Sequence, residues 1–379
     1  MNKLTAGALL LTTRFSICLV GALSWCLWFS LPTHAEQNKP KKDTTEQWQP
    51  THLSKKEQKL LYSTAEDKLT KPVCTGRQRV TITCRDQKHY VTTNEYHHEV
   101  FYPYVKHLGG GHVGVGTDQN FTFIAWARSR MAWLMDYDPV VVRLNLAHRA
   151  FILHSKTRKT YTSRWYKGAN ERASIELLRR VYKKHPEREE IVEAYLHGRQ
   201  TVSFHYHLIA KRRFGWDYHK MQAAPNKRDL QDLRDFSWMH QEEHYQYIRK
   251  MFQTNRIRIM KGDLLLTKSL RGIAHASRRL GVPIRITYLS NAEEFWRYPK
   301  TFRDNIRALP MDERSVILRT RFTSKYGPRL DAWIYIVQNG LNFQQLLAKP
   351  QYNGIDQMMR YHTRVSKGFY TIQIPPVQK

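Results

Sequence analysis

The residues of this sequence whose types and spacing could do chemistry together lie between Gly109 and Asn145, in GGGHVGVGTDQNFTFIAWARSRMAWLMDYDPVVVRLN. Gly114 and Gly116 carry no Cβ, so the backbone can reverse sharply there and bring its N–H groups close to a ligand. Asp136 stands 20 residues beyond Gly116, the distance at which a carboxylate ending a second strand can bond a ribose hydroxyl. Asp138 follows it. The chemistry implied is recognition of a nucleotide-type ligand by backbone amides, a helix start and one or two carboxylates.

Such residues need elements to position them. The glycines follow an apolar strand (His112 to Val115) and precede a helical run (Asn120 to Ser129), whose positive end would face the turn. A second strand (Met131 to Met135) ends at Asp136. Asp138-Pro139 then opens a further helix (Val140 to Phe151), with proline in the first turn, where its missing N–H does no harm. Upstream, Asn94 to Leu108 has helical spacing, with Asn94 as N-cap, Gly109 as stop and Pro103 as a kink. The adjacent His97 and His98 point about 100° apart on a helix and do not make one metal site. Downstream, RIRIM from Arg256, Ile284 to Leu289, Ser315 to Thr320 and Asp331 to Val337 read as strands, and Thr267 to Leu280 as a helix. That makes six strands in an α/β pattern. Residues 151–255 are too long for one connecting helix; helical at Asn170 to Leu196 and Asp229 to Gln253, with a basic aromatic middle (Phe204 to Lys220), they read as a helical lid over the ligand crevice.

HVGVGTDQN followed by WLMDYDPVVVRLNLAHRAF resembles motifs I and II of class I S-adenosylmethionine-dependent methyltransferases. The resemblance implies a Rossmann-like, mostly parallel sheet of six or seven strands, with S-adenosylmethionine as cofactor. Gly114, Gly116 and Asp136 match the family's positions, and Asp138 its acid-proline helix start. Lys261-Gly262-Asp263 is similar to the family's Gly-Asp motif, so Gly262 and Asp263 would touch the adenine ring. The last two strands resemble the closing antiparallel strands of that fold. Tyr288-Leu289-Ser290-Asn291 should sit opposite Gly114, and its LSN resembles a segment of the related aminocarboxypropyl transferases, which also carry a large helical insertion. Asp118, Tyr288 and Asn291 are the candidates for orienting an acceptor. Two positions depart from the pattern: His112 replaces an acid that contacts the cofactor's amino acid end, and Asp118 replaces the third glycine.

The remainder of the chain sets address and charge. Lys3 and Arg14, the uncharged run Phe15 to Leu31 and a small residue at Ala35 make 1–35 a signal peptide, with an uncleaved anchor as the alternative. Trp25 before Cys26 argues against lipid attachment. The expected address is the periplasm or the exterior. Residues 36–72 read as a basic tether with one short helix (Lys55 to Ser63), residues 73–93 as a small hairpin, and 346–379 as a C-terminal tail. Cys74 and Cys84 flank GRQRVTIT; a disulfide between them would stabilise the fold by about 2–3 kcal/mol, and two unlinked thiols are the alternative. The Rossmann-like domain itself would be split into 94–150 and 256–345.

Among 379 residues there are 62 Lys and Arg against 32 Asp and Glu, a net charge of +30. That field favours an anionic envelope surface or acidic polymer. A reading helix, an aromatic ribonucleoprotein pair and a zinc module are all missing from the sequence, so specific nucleic-acid recognition is not expected. His240 to His244 repeats the HxxEH string of one zinc protease group, but no third ligand motif follows, and a solvated helix face is the better reading. Two functions remain open. One is a transferase using S-adenosylmethionine on an envelope component. The other is a non-catalytic binding protein on a degenerate methyltransferase fold, favoured by export away from the cytosolic cofactor and by His112 and Asp118.

Overall fold

The computed structural model describes residues 48–69, 73–75, 81–83, 89–210, 237–330 and 332–373. Val73–Thr75 (β1) and Thr81–Thr83 (β2) form an antiparallel pair, with Cys74 opposite Ile82. Cys84 lies outside the described residues, and with it the expected disulfide; so do the signal segment and most of the basic aromatic stretch.

Eight further strands share one sheet: Gly111–Val115 (β3), Met131–Asp136 (β4), Ile257–Lys261 (β5), Ile284–Ser290 (β6), Val316–Arg321 (β7), Ile334–Asn339 (β8), His362–Ser366 (β9) and Phe369–Ile372 (β10). Their order is β5-β4-β3-β6-β7-β8-β10-β9. Neighbours from β5 to β7 are parallel. β8 runs antiparallel to β7, β10 parallel to β8, and β9 antiparallel to β10. The fold is therefore α/β around an eight-stranded, mostly parallel sheet.

β4 shows why this sheet needs two covering layers. All of MAWLMD is buried, as expected of a strand covered on both faces. Met131, Trp133 and Met135 join a cluster with residues of the helices Lys55–Tyr62, Ser269–Arg279, Lys300–Ala308 and Gly340–Leu347. Ala132 and Leu134, one residue out of step, point to the other face. There they meet Gln119–Ala127, Pro139–Leu153 and the inserted helices Arg158–Ser163, Ala169–Val181, Arg188–Ala210 and Glu242–Gln253. No helix among the described residues is long and apolar enough to cross a membrane.

Several expectations are corrected. The sheet has eight strands, not six or seven. β7 is not a closing antiparallel strand: it extends the parallel set beside β6, and the reversal comes at β8, which β10 follows in direction. The supposed tail supplies a helix and the β9–β10 hairpin, turned by Gly368 at φ +65°; these strands are too short to announce themselves. The supposed tether docks. Leu61 is buried, and Thr64 Oγ1 accepts from Trp133 Nε1 at 3.2 Å. The helix expected over 94–108 shrinks to a 3-10 turn (His98–Phe101) and Tyr102–Val105, because Glu95 is drawn into the sheet rim. The helix expected over 170–196 is broken around Pro186, whose preceding residue disfavours helical backbone. The described helices of the insertion pack as a layer over β4 and β5; residues 211–236, and with them the middle of the expected lid, lie outside the described residues.

Candidate functional site

Parallel pairing of β3 with β4 sets Val115 opposite Met135, and the next residue of each strand is a member of the expected site. Gly116, at φ +88°, donates its N–H to Asp136 Oδ2 at 2.8 Å. Asp136 Oδ1 accepts from the Asp138 N–H at 2.9 Å. Asp138 caps the following helix by accepting from the Val140 N–H at 2.9 Å, and its other oxygen meets His89 Nδ1 at 2.7 Å. Burial pushes the Asp136 carboxyl up to about 7, against the hydrogen bonds from Asp138 and Gly116.

The two glycines make room for the chain itself. A Cβ on Gly114 would overlap the Asn120 side chain and His112 Nε2, and one on Gly116 would overlap the Gln119 amide. Asn120 Nδ2 donates to the carbonyls of Val115 at 2.9 Å and Thr117 at 3.0 Å. Its oxygen therefore accepts from His112 Nε2 at 2.8 Å, which fixes that histidine's tautomer. Burial pushes His112 down to about 4, so it is neutral. Gln119 Oε1 accepts from the Thr117 N–H at 3.1 Å and hydroxyl at 3.0 Å, and Asn145 Nδ2 donates to the Gly116 carbonyl at 2.9 Å. Asp136, Gln119, Asn120 and Asn145 thus engage the polar groups of the turn.

At the end of β5, the Gly262 N–H donates to the Asp136 carbonyl at 3.0 Å. A Cβ on Gly262 would crowd Met135 and Ser269. The Asp263 N–H goes to Asp67 Oδ2 at 3.1 Å, while Asp263 Oδ1 accepts from the Leu265 N–H at 2.8 Å. Asp67 also accepts from the Lys268 N–H at 2.9 Å and the Ser269 hydroxyl, capping the helix Ser269–Arg279. Burial and the nearby Asp67 charge push the Asp263 carboxyl up.

Tyr288 and Asn291 lie at the end of β6. Tyr288 is fully buried and donates its hydroxyl to Glu95 Oε2 at 2.6 Å. Glu95 also meets His98 Nε2 at 3.0 Å and accepts from the hydroxyls of Thr320 at 2.6 Å and Ser290. Burial pushes the Glu95 carboxyl up, but the hydrogen bond and charge of His98, with the hydrogen bonds from Ser290 and Thr320, outweigh it and leave it below the usual range. Burial, then the Glu95 charge, push the Tyr288 hydroxyl well up. Ser290 holds φ +51° beside a register shift between β6 and β7, a left-handed backbone that costs energy in a residue with a side chain. Asn291 begins a 3-10 turn without capping it.

Asp118 faces away from this group. Tyr206, near the end of the long inserted helix, donates to Asp118 Oδ2 at 2.9 Å. With that proton committed, Tyr161 must donate to Tyr206 at 2.7 Å, and His148 Nδ1 to Tyr161 at 2.8 Å. The chain runs His148, Tyr161, Tyr206, Asp118, all buried. Burial pushes His148 down to about 4.

Of the residues expected from sequence, the structure brings together Gly116, Asp136, Asp138 and Gly262 in one hydrogen-bonded group. Gly114 sits beneath it, Asp263 beside it, and Tyr288 with Asn291 across β3. Asp118 is turned into the helical layer. The HxxEH string does not form a helical pair: Glu242 starts the helix, so His240 precedes it. Among the described residues no group of three or more His, Cys, Asp or Glu is placed to hold a metal ion. Nothing local in the sequence marks Glu95, Asp67, His148, Tyr161 or Tyr206, since their partners lie 45 to 225 residues away in most cases. Gln119 and Asn120 do carry a signal: polar side chains directly after a glycine turn can bond its backbone.

Residues 90–373 match the model of a family described as a domain of unknown function (DUF7790), and the chain belongs to that family. The matched span takes in the whole eight-stranded sheet and the insertion. A search of curated proteins returned no match.

Proposed function

We propose that this chain is a binding protein on a Rossmann-like fold of the methyltransferase type, in which the S-adenosylmethionine crevice has been given over to the chain's own side chains. It would work after export, at an anionic surface of the cell envelope. The observation that carries this reading is the occupancy of the glycine turn: Asn120 and His112 fill the space above Gly114, and Gln119 fills that beside Gly116. In a cofactor-binding turn those spaces admit the ligand. Asp136 gives its oxygens to the N–H groups of Gly116 and Asp138, and Gly262 packs against Met135 and Ser269.

Titrating the purified protein with S-adenosylmethionine and its demethylated product in a calorimeter tests this. No saturable heat is expected at millimolar ligand. Saturable binding that Asp136→Ala and Asp136→Asn both abolish, in proteins that still fold, would replace this reading with the transferase acting on an envelope component. One observation favours that second reading: the parallel pairing of β3 with β4 sets Gly116 and Asp136 side by side at the carboxyl ends of the two strands, where open α/β sheets bind ligands.

A further inference from the structure

The carboxyl ends of the parallel strands form one rim, and four of the loops that leave it carry an exposed large apolar side chain. Tyr137 follows β4 and is 51% exposed, Leu266 follows β5 at 39%, Phe295 follows β6 at 41%, and Phe322 follows β7 at 43%. The far half of the sheet continues the pattern. Phe369, at the start of β10, pairs with Tyr335, which pairs with Thr320 near the end of β7, so the β9–β10 turn lies on the same rim. Val365 is exposed there, at 50%.

Cations are interleaved with these tips. Lys268, Arg297 and Lys367 are exposed in the same loops, as is Lys325, which lies 3.7 Å from Asp356, and the Arg329 guanidinium lies over the Phe322 ring at 4.7 Å. The carboxylates nearby are largely committed. Asp138 is held by His89, Glu294 accepts from the Phe322 N–H, Glu293 is buried against Arg319, and Asp356 accepts from Arg321 and Tyr326. What the rim offers outward is apolar and positive.

We propose that this rim is the surface by which the protein seats on an anionic phospholipid bilayer. The apolar tips enter the headgroup region while the Lys and Arg side chains reach the lipid phosphates. An acidic polymer would be met by charge alone and gives no use to the apolar tips. The proposal rests on the binding-protein reading and adds to it the partner and the face.

The test is flotation of the full chain with vesicles of phosphatidylcholine alone, or of phosphatidylcholine mixed with phosphatidylglycerol. The wild-type protein is expected to float with the mixed vesicles only. Phe295→Ser with Phe322→Ser, and separately Lys268→Glu with Arg297→Glu, should each weaken that binding about tenfold or more. Unfolding midpoints confirm that the variants fold. Wild-type binding that the phenylalanine pair leaves unchanged would overturn the rim. So would full competition by a soluble acidic polysaccharide with an unaffected phenylalanine variant, which would make the partner a polymer. Failure of the wild type to float with any vesicle would remove the proposal, and the calorimetric result for S-adenosylmethionine would still stand.

Discussion

Gly114 separates two uses of the same residue type. A glycine kept for a ligand tolerates a methyl group in the free protein, whereas here the added Cβ meets Asn120 and His112. Gly114→Ala should therefore lower stability in urea unfolding, by about 3 kcal/mol on the scale of overpacked sites. In Asn120→Ala the main overlap is removed and only His112 Nε2, 2.7 Å away, must still give, so the two changes should cost less together than their sum. Additive costs would show that Asn120 is not what excludes the Cβ. His148 gives a second test at this scale. It is neutral when folded, held down to about 4 against an ordinary value of 6.5, so the unfolded chain takes up a proton that the native one refuses. Stability present above 6.5 is lost as pH falls toward about 4, by up to about 1.4 kcal/mol per pH unit. Asp136, raised to about 7, works in the opposite sense: its stabilising protonated form is lost as pH rises through that value. His148→Asn keeps an N–H for Tyr161 and cannot titrate, so its stability should fall less than that of the wild type between pH 7 and 4.5. Parallel curves would contradict the assignment.

Elements are legible in the sequence where local pattern and tertiary role agree. The apolar runs of β3 and β4 and the Asp138-Pro139 helix start place the central unit within two residues of its bounds. β9 and β10 are not legible, because four or five residues around Lys367-Gly368 carry little periodicity until β8 supplies a partner. The segment before the sheet misleads for a related reason. Its composition is that of a tether, yet Asp67 caps a helix about 200 residues away, accepting from the Lys268 N–H and the Ser269 hydroxyl. Sequence spacing cannot show such a contact. Asp67→Ala should cost about 2 kcal/mol or more, since it strands buried donors and removes a cap. Unfolding in urea measures it, and a neutral effect would mean that the N-terminal segment is dispensable to the sheet.

At the scale of the molecule, the spacing of Gly116 and Asp136 does mark a contact, but spacing cannot say what lies between the glycines and solvent. That depends on which way Gln119 and Asn120 turn, and on Tyr206 drawing Asp118 into the helical layer instead of leaving it at the crevice. The charge of +30 is equally visible in the sequence, while its interleaving with apolar tips along one rim emerges only from the strand order. A crevice closed by its own side chains has a direct signature in amide hydrogen exchange across Gly116 to Asn120. The Gly116 and Thr117 amides, bonded to Asp136 and Gln119, should be protected in the free protein and unchanged by millimolar S-adenosylmethionine. Fast exchange of these two amides in the free protein, slowed when that ligand is added, would contradict the account.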